Sequence, residues 1–324
     1  VLSHANVHRV EEEPTPNSEH PQNVLNKEVT ISDLVFMIGP RINAAGRLEK
    51  ASDSVRLLIA ERKEHAEKLA SSINDLNVRR REFDNKITEE ALQMIQQDEK
   101  LLQAKSTVIF NENWHKGVIG IVASRLTDTY YRPTIVLTRS NNLITGSARS
   151  IKNFDIYDAI DNCSDLLEHF GGHKYAAGLS LKPENLSEFS RRFEEYVSNN
   201  IDKEELIPEL NVDLEINFSD ITPKFVRVLK QFSPFGPGNM APVFLSRNVI
   251  DSGSSRPVGG QEKKHLKLSM TQKHDNNLIL PGIAFQKGAN YQRVNSKEPF
   301  SICYCIEKNF WQGKTNLQLN VKDI

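Results

Sequence analysis

From residue 51 to residue 105 the chain runs without a single Gly or Pro, and apolar residues recur there at helical spacing. Val55, Leu58, Ile59, Ala66, Leu69, Ala70, Ile73 and Leu76 fall along one face at separations of three, four or seven, and charged residues fill the gaps. A continuous helix of some 45 to 50 residues here would reach roughly 70 Å at 1.5 Å per residue. That is long for a globular core, so the stretch predicts a strut joining two domains, with a coiled coil as the alternative. The length of 324 residues agrees, since it exceeds one ordinary core.

The segments on either side differ in character. Residues 1–30 read as a polar, irregular lead-in, where Glu11, Glu12, Glu13, Pro14 and Pro16 oppose a long helix. Ser32 is a candidate cap for a short helix to Ile38, which Gly39 and Pro40 would break. Residues 106–200 alternate strand and helix: strands at Thr107–Phe110, Pro133–Leu137, Ile144–Ser150 and Ala177–Leu181, and helices at Val118–Leu126, Asp155–Phe170 and from Asn185 or Ser187 to Val197. This pattern is a compact α/β module. After residue 209, strand-like runs at Leu210–Ile216, Val243–Ile250, Leu266–Met270, Leu278–Phe285, Phe300–Ile306 and Leu317–Val321 enclose one helix, Pro223–Leu229. Five or six strands in so short a stretch suggest a small OB-like barrel. The predicted fold class is therefore α/β plus all-β. The boundaries are 1–50 for the lead-in side, 51–105 for the helix, 106–205 for the α/β domain and 206–324 for the barrel.

No apolar run approaches the roughly 18 to 20 residues that span a membrane, and the opening residues lack the apolar stretch of a signal peptide. The chain starts at Val1 without an initiator Met, as a processed or truncated chain would. Cys163, Cys303 and Cys305 are too few and too scattered for a zinc site. Cys303 and Cys305 should share one face of a strand, and all three read as buried or half-buried thiols of a reducing, cytoplasmic compartment. A net charge of −1 argues against coating nucleic acid by bulk charge and leaves room for a local basic groove.

Three segments have compositions suited to phosphate. In Gly39–Arg47, small residues allow close backbone approach, and Arg41 and Arg47 offer planar forks; the alternative is a tight turn with two exposed arginines. In Thr145–Ser150, hydroxyls surround Gly146 and Arg149, unless this is an ordinary polar strand end. In Gly171–Gly178, bare backbone stands beside His173, although Gly171 or Gly172 could simply cap a helix. His4 and His8 read as a chance pair, and His115 as part of a turn rather than a cleft residue. In the barrel, Arg256, Lys263, Lys264, His265 and Lys267 form a basic stretch, with Tyr291, Phe310 and Trp311 in the same domain. A basic groove with an aromatic platform is how OB folds hold single strands without sequence preference; a solvated loop with core aromatics is the alternative.

The strings GPRINAAGRL, NWHKGVIGIVASRL, YRPTIVL, GSARS and FGGHKYAAGLSL, followed by PFGPGNMAPVF and HLKL, occur in one order. In that order they resemble the second half of the RecJ exonucleases of the DHH phosphoesterase superfamily, over roughly residues 30–324. The resemblance implies a long connecting helix, a DHHA1-type α/β domain and an OB-like domain. It implies a family partner, single-stranded DNA, that threads a cleft lined by these segments, and a family cofactor, Mn²⁺ or Mg²⁺, held by Asp and His ligands of an N-terminal DHH domain. It also implies phosphate contacts for Arg41 and Arg47 with Asn43 in support. Contacts to the 5′ end or adjacent phosphates fall to Ser147, Arg149, Ser150 and His173, with Gly172 as bare backbone. Arg149 is expected to be an exposed cleft arginine that holds no core together.

None of the nine histidines follows an Asp, so the chain has no DHH triplet. As the substrate-gripping half, it is expected to bind without cutting, because in two-metal hydrolysis the metals generate the nucleophile. No residue points to a membrane, and none identifies a single-strand-binding protein or helicase as partner. Two other readings remain at this stage: a non-catalytic nucleic-acid-binding module, and a family phosphodiesterase for oligoribonucleotides or cyclic dinucleotides. The extra barrel favours long single strands over the latter.

Overall fold

In the computed structural model, which describes residue 29 and residues 31–236, 238–260, 263–273, 275–311 and 314–324, the Gly- and Pro-free stretch forms three helices rather than one. These are α3 (Ser52–Leu58), α4 (Lys63–Gln97) and α5 (Glu99–Gln103). Packing explains the first break. Leu57 joins Ala44, Ala45, Ile73 and Leu76 in one apolar cluster. On a straight helix Leu57 and Ile73 would stand about 24 Å apart at 1.5 Å per residue. The chain therefore turns at Arg62, which is extended (φ −100°, ψ 128°). Val55, Leu58 and Ile59, expected on the buried stripe, are instead exposed. The second break is a cap: Asp98 Oδ1 accepts from the N–H groups of Lys100 (2.9 Å) and Leu101 (3.2 Å).

Upstream, α1 (Ile31–Asp33) leads through a π-helical turn, Leu34–Ile38, directly into α2 (Gly39–Leu48). Gly39 and Pro40 thus start a helix instead of breaking one. Pro40 lies in the first turn of α2, where its missing N–H is not needed. His4, His8 and the lead-in reading of residues 1–30 fall almost entirely outside the described residues, as does the Ser32 side chain.

The described residues up to Glu209 form one compact unit and those from Leu210 another. In the first, a five-stranded sheet has the order β1-β2-β3-β5-β4. Its strands are β1 (Thr107–Phe110), β2 (Thr134–Ser140), β3 (Leu143–Arg149), β4 (Leu167–His173) and β5 (Ala176–Leu181). Only β1 and β2 pair in parallel, joined through α6 (Ile119–Tyr130). The predicted helix Asp155–Phe170 is shorter: Asp155 does cap α7, but α7 covers Ile156–Asp161. The residues from Leu167 pair with β5 instead, so sheet pairing overrides helical propensity there. Gly171 and Gly172 are accordingly strand residues and not a helix cap.

The two faces of this sheet differ. Ile135, Ala148, Ala177 and Leu179 point to one side, where they pack with α7 and α8 (Leu186–Asn200). Phe189, Phe193 and Val197 of α8, four residues apart, are fully buried there. Val136 points to the other side, where it packs with α4 and α6. Arg132 is buried and donates to the carbonyls of Leu101 and Ala104, closing the end of α5, and to Thr107 Oγ1.

The second unit holds β6 (Leu214–Glu215), α9 (Pro223–Gln231), β7 (Phe244–Asp251), β8 (Arg256–Val258), β9 (His265–Gln272), β10 (Asp275–Ala284), α10 (Tyr291–Asn295), β11 (Phe300–Trp311) and β12 (Lys314–Asp323). Five strands close on themselves in the order β7-β11-β12-β10-β9, and the β7–β9 pairing completes an OB-like barrel. Tyr304, Phe218 and Phe244 fill its core, and the Tyr304 and Ser246 hydroxyls pair at 2.8 Å inside it. The cysteines are free thiols, with Cys163 and Cys305 buried and Cys303 half-buried. Burial pushes the Cys163 thiol up to about 11.

Because Phe193 is fully enclosed, Phe193→Ala should lower the stability of the first unit by about 3–5 kcal/mol. Urea denaturation followed by far-UV circular dichroism measures it. An unchanged midpoint would contradict the packing described.

Candidate nucleic-acid interface

The open face of the sheet beyond α6 is built from unusually small side chains. Strand register places Arg149 opposite Ala176 and Ala176 opposite His173. Two residues earlier along β3, Ser147 lies opposite Gly178 and Gly178 opposite Gly171. Residues directly opposite one another point to the same face, so Ser147, Arg149 and His173 share one side. Between them Gly171 and Gly178 leave exposed sheet backbone, and a Cβ on Gly171 would meet nothing within 4 Å. Gly172 is required for a different reason. A Cβ there would sit 2.4 Å from the Ala176 carbonyl oxygen and 2.5 Å from Ala177 Cα.

Arg149 is half-buried, not exposed as its sequence context suggested. Its Nε donates to Ser124 Oγ (3.2 Å), and its Nη1 to Ser147 Oγ (3.1 Å) and the Ala148 carbonyl (2.7 Å). Burial, and then the nearby Arg47, lowers the pKa of its guanidinium from the ordinary value. Arginine keeps its charge in proteins, so this direction records crowding of positive charge rather than neutralisation. α6 approaches closely because Gly120 is small: a Cβ there would stand 3.0 Å from Ser147 Oγ and 3.3 Å from Arg149 Nη2.

The C-terminal end of α2 reaches the same place. Arg47 is exposed and its Nη1 donates to the Gly117 carbonyl at 3.2 Å. A Cβ on Gly117 would stand 1.9 Å from the Arg47 carbonyl oxygen, so no side chain fits at 117. Asn43 and Arg47, with Gly39, Pro40, Val35, Arg80 and Ile121, line a cleft of about 240 Å³.

The structure therefore brings together Asn43, Arg47, Ser147 and Arg149, with His173 exposed at the end of the same sheet row. It does not bring in Arg41. That side chain is buried, donating to the Met37 carbonyl (2.7 Å) and Asn74 Oδ1 (3.2 Å), because it lies on the side of α2 that faces α4. Ser150 also points inward, its hydroxyl donating to the Phe154 carbonyl at 2.8 Å. His115 belongs to the turn: Nδ1 accepts from the Gly117 N–H (3.1 Å) and the ring stacks on Phe83. Gly117, Gly120, Ser124, Arg80 and Arg125 were not singled out from the sequence as site residues. The short spacing of Gly117 and Gly120 in a βα turn was the available signal.

In the barrel, Arg256 and Lys267 are cross-strand neighbours, and both are exposed, as are Lys263 and Lys264. Lys263 has φ +48°, and its carbonyl leaves no room for a side chain at Gly288, so the basic turn is anchored from below. His265 is half-buried: Nδ1 accepts from the Gln286 N–H and the ring packs edge-on against Phe285. Tyr291 packs on the barrel core, so it is no platform. The Phe310 and Trp311 side chains lie outside the described residues. Phe285, which follows β10, is 48% exposed and its ring packs against that of His265.

Among the described residues no group of three or more His, Cys, Asp or Glu side chains could hold a metal ion, and no helix is long and apolar enough to cross a membrane.

With this geometry in hand, known proteins bear on the chain. The DHHA1 domain family matches residues 100–199, and the RecJ OB domain family residues 212–323. The single-stranded-DNA-specific exonuclease RecJ of Bacillus subtilis is 36% identical over 290 residues, covering 89% of this chain and 36% of the relative. Its Escherichia coli counterpart is 31% identical over 308 residues, covering 92% of this chain and 52% of the relative. The crystal structure of Thermus thermophilus RecJ in complex with Mn²⁺ superposes with a TM-score of 0.75 at 26% identity, over 90% of this chain and 41% of that one. The chain thus spans about half the length, or less, of the curated relatives it matches.

Gly117→Ala should force the end of α2 away from the βα turn, at a cost of about 1–3 kcal/mol. A thermal melt should show a lower transition for the first unit; an unshifted melt would mean that this approach is not tight.

Proposed function

We propose that this chain, which belongs to the RecJ family through its DHHA1 and RecJ OB domains, is the substrate-gripping half of a 5′-to-3′ single-stranded-DNA exonuclease acting in DNA repair and recombination. The observation that carries the reading is the strip of bare backbone at Gly171 and Gly178, with Ser147, Arg149 and His173 on the same sheet face and Arg47 beside Arg149. A phosphate can approach glycine backbone closely, and guanidinium forks suit its oxygens. Asn43 and Arg47 take phosphates from the α2 side. Ser147 and Arg149 take the 5′ end or an adjacent phosphate. His173, exposed at the strand end, donates a further hydrogen bond whether neutral or charged.

The barrel supplies a second grip. Arg256, Lys263, Lys264 and Lys267 follow the DNA backbone, and Phe285 offers a surface on which a base stacks. His265 supports this hairpin from within.

The solved Thermus relatives hold Mn²⁺ or Mg²⁺. Among the described residues no group of three or more His, Cys, Asp or Glu side chains could hold such an ion. What these side chains do is bind and orient the strand.

Binding of a fluorescent single-stranded oligonucleotide tests the proposal. Arg47→Ala and Arg149→Ala should each weaken it about ten- to a hundred-fold, the loss of a charge-assisted hydrogen bond. Arg47→Ala should leave the melt nearly unchanged, whereas Arg149→Ala should lower it because three internal hydrogen bonds go. Unaltered affinity in both variants would refute the phosphate role. For the barrel, the triple change of Lys263, Lys264 and Lys267 to Ala should reduce the log–log salt slope by up to about 2, near 0.7 per contact. A salt slope that stays the same would place the groove elsewhere on the barrel.

A further inference from the structure

Asp84, on α4, has a fully buried side chain in the middle of a group of arginines. Arg125 Nη2 donates to its Oδ2 at 2.8 Å, and Arg80 Nη1 lies 3.5 Å from the same oxygen. Neighbouring amides complete the arrangement: Arg80 Nη2 donates to Asn77 Oδ1 (3.0 Å), and Arg125 Nη1 to Asn85 Oδ1 (3.4 Å). The Arg80 side chain is only 12% exposed, yet it lines the same cleft as Asn43 and Arg47.

This cluster is poorly explained as a device for stability. A buried ion pair seldom outweighs the cost of desolvating its members. Here the charges do not balance either, since Arg80 feels Arg47, Arg81 and Arg125 as well as Asp84. Arg80 Nε is buried without a hydrogen-bond partner among the described residues. What the arrangement does achieve is orientation. One carboxylate oxygen and two amides fix two planar guanidiniums that would otherwise be free to rotate, next to a concave surface already carrying Arg47. The excess positive charge there is what an anionic ligand would offset.

We propose that Asp84 is a positioning residue of the cleft: through Oδ2 it holds the Arg80 and Arg125 guanidiniums so that they, with Arg47, grip a phosphate of single-stranded DNA. The inference rests on the reading of this cleft as a DNA phosphate site. It adds Arg80 and Arg125 to the groups that touch DNA, with Asp84 acting only through them.

The sign of one substitution separates this role from simple charge neutralisation. Asp84→Asn removes a negative charge beside the DNA. If Asp84 merely offsets the arginines, the variant binds more tightly and with a steeper salt dependence. If it positions them, binding weakens despite the added positive charge. With a 5′-phosphorylated oligothymidylate as probe, Asp84→Asn should bind about tenfold more weakly. Its salt slope should be shallower by about 0.7, one lost phosphate contact. Introduced into an Arg80→Gln, Arg125→Gln background, the same change should have no further effect. Tighter or unchanged binding by Asp84→Asn, with Arg47→Ala still weakened, overturns the inference and leaves the cleft reading standing. Unaltered affinity in both Arg47→Ala and Arg149→Ala removes that reading and the inference with it. Should Asp84→Asn fail to fold by circular dichroism, Arg80→Lys decides, since it keeps the charge and loses the fork. A tenfold loss supports the inference, and wild-type affinity overturns it.

Discussion

At Gly117 two pieces of backbone meet with no space for a side chain, and this contact sets the geometry of the first unit. The carbonyl of Arg47 ends α2 against the turn that follows β1. Because the approach is backbone to backbone, Arg47 is delivered next to α6 at a fixed height, and Gly120 lets α6 lie down on Ser147 and Arg149. Arg47 and Arg149, 102 positions apart in sequence, thereby come to feel each other's charge.

Crowding of like charge is the electrostatic result. Arg47, Arg80, Arg125 and Arg149 belong to four different elements, α2, α4, α6 and β3, and the buried Asp84 carboxylate is paired directly with Arg80 and Arg125. Guanidiniums stay charged, so the local field there is positive and favours an anion. A net charge of −1 for the whole chain conceals this, because acidic residues elsewhere cancel the sum without cancelling the local field. The barrel solves the same problem differently. Its lysines sit on an exposed hairpin, a placement that would suit a salt-dependent hold on a flexible strand.

Much of this was legible in the sequence. The strand-like run Leu266–Met270 lies within β9, where Leu266 and Leu268 are buried and Lys267 is exposed. The helix expected from Asn185 or Ser187 to Val197 is α8, whose buried face holds Phe189, Phe193 and Val197. Asp155 before an apolar run marked a helix start. These signals are local, so they survive without knowledge of partners. The resemblance carried by the motif strings implied contacts for Arg47, Ser147, Arg149 and His173, and the structure sets Ser147, Arg149 and His173 on one sheet face with Arg47 beside Arg149.

Tertiary structure decided what local pattern could not. Helical periodicity continued through residues 59–62, but burying Leu57 with Ile73 required the chain to turn there. Composition treated Arg41 and Arg47 alike; only the packing of α2 on α4 buries the first and exposes the second. Helical propensity ran on toward Phe170 until pairing with β5 claimed those residues for the sheet. The Asp84 cluster left almost no trace in sequence, because its members are joined by side chains from two helices folded together. The sequence by itself thus determined periodicity, caps and the chemistry of short segments, which depend on neighbours along the chain. Burial, register and charge crowding were decided by the tertiary structure, because they depend on neighbours across it.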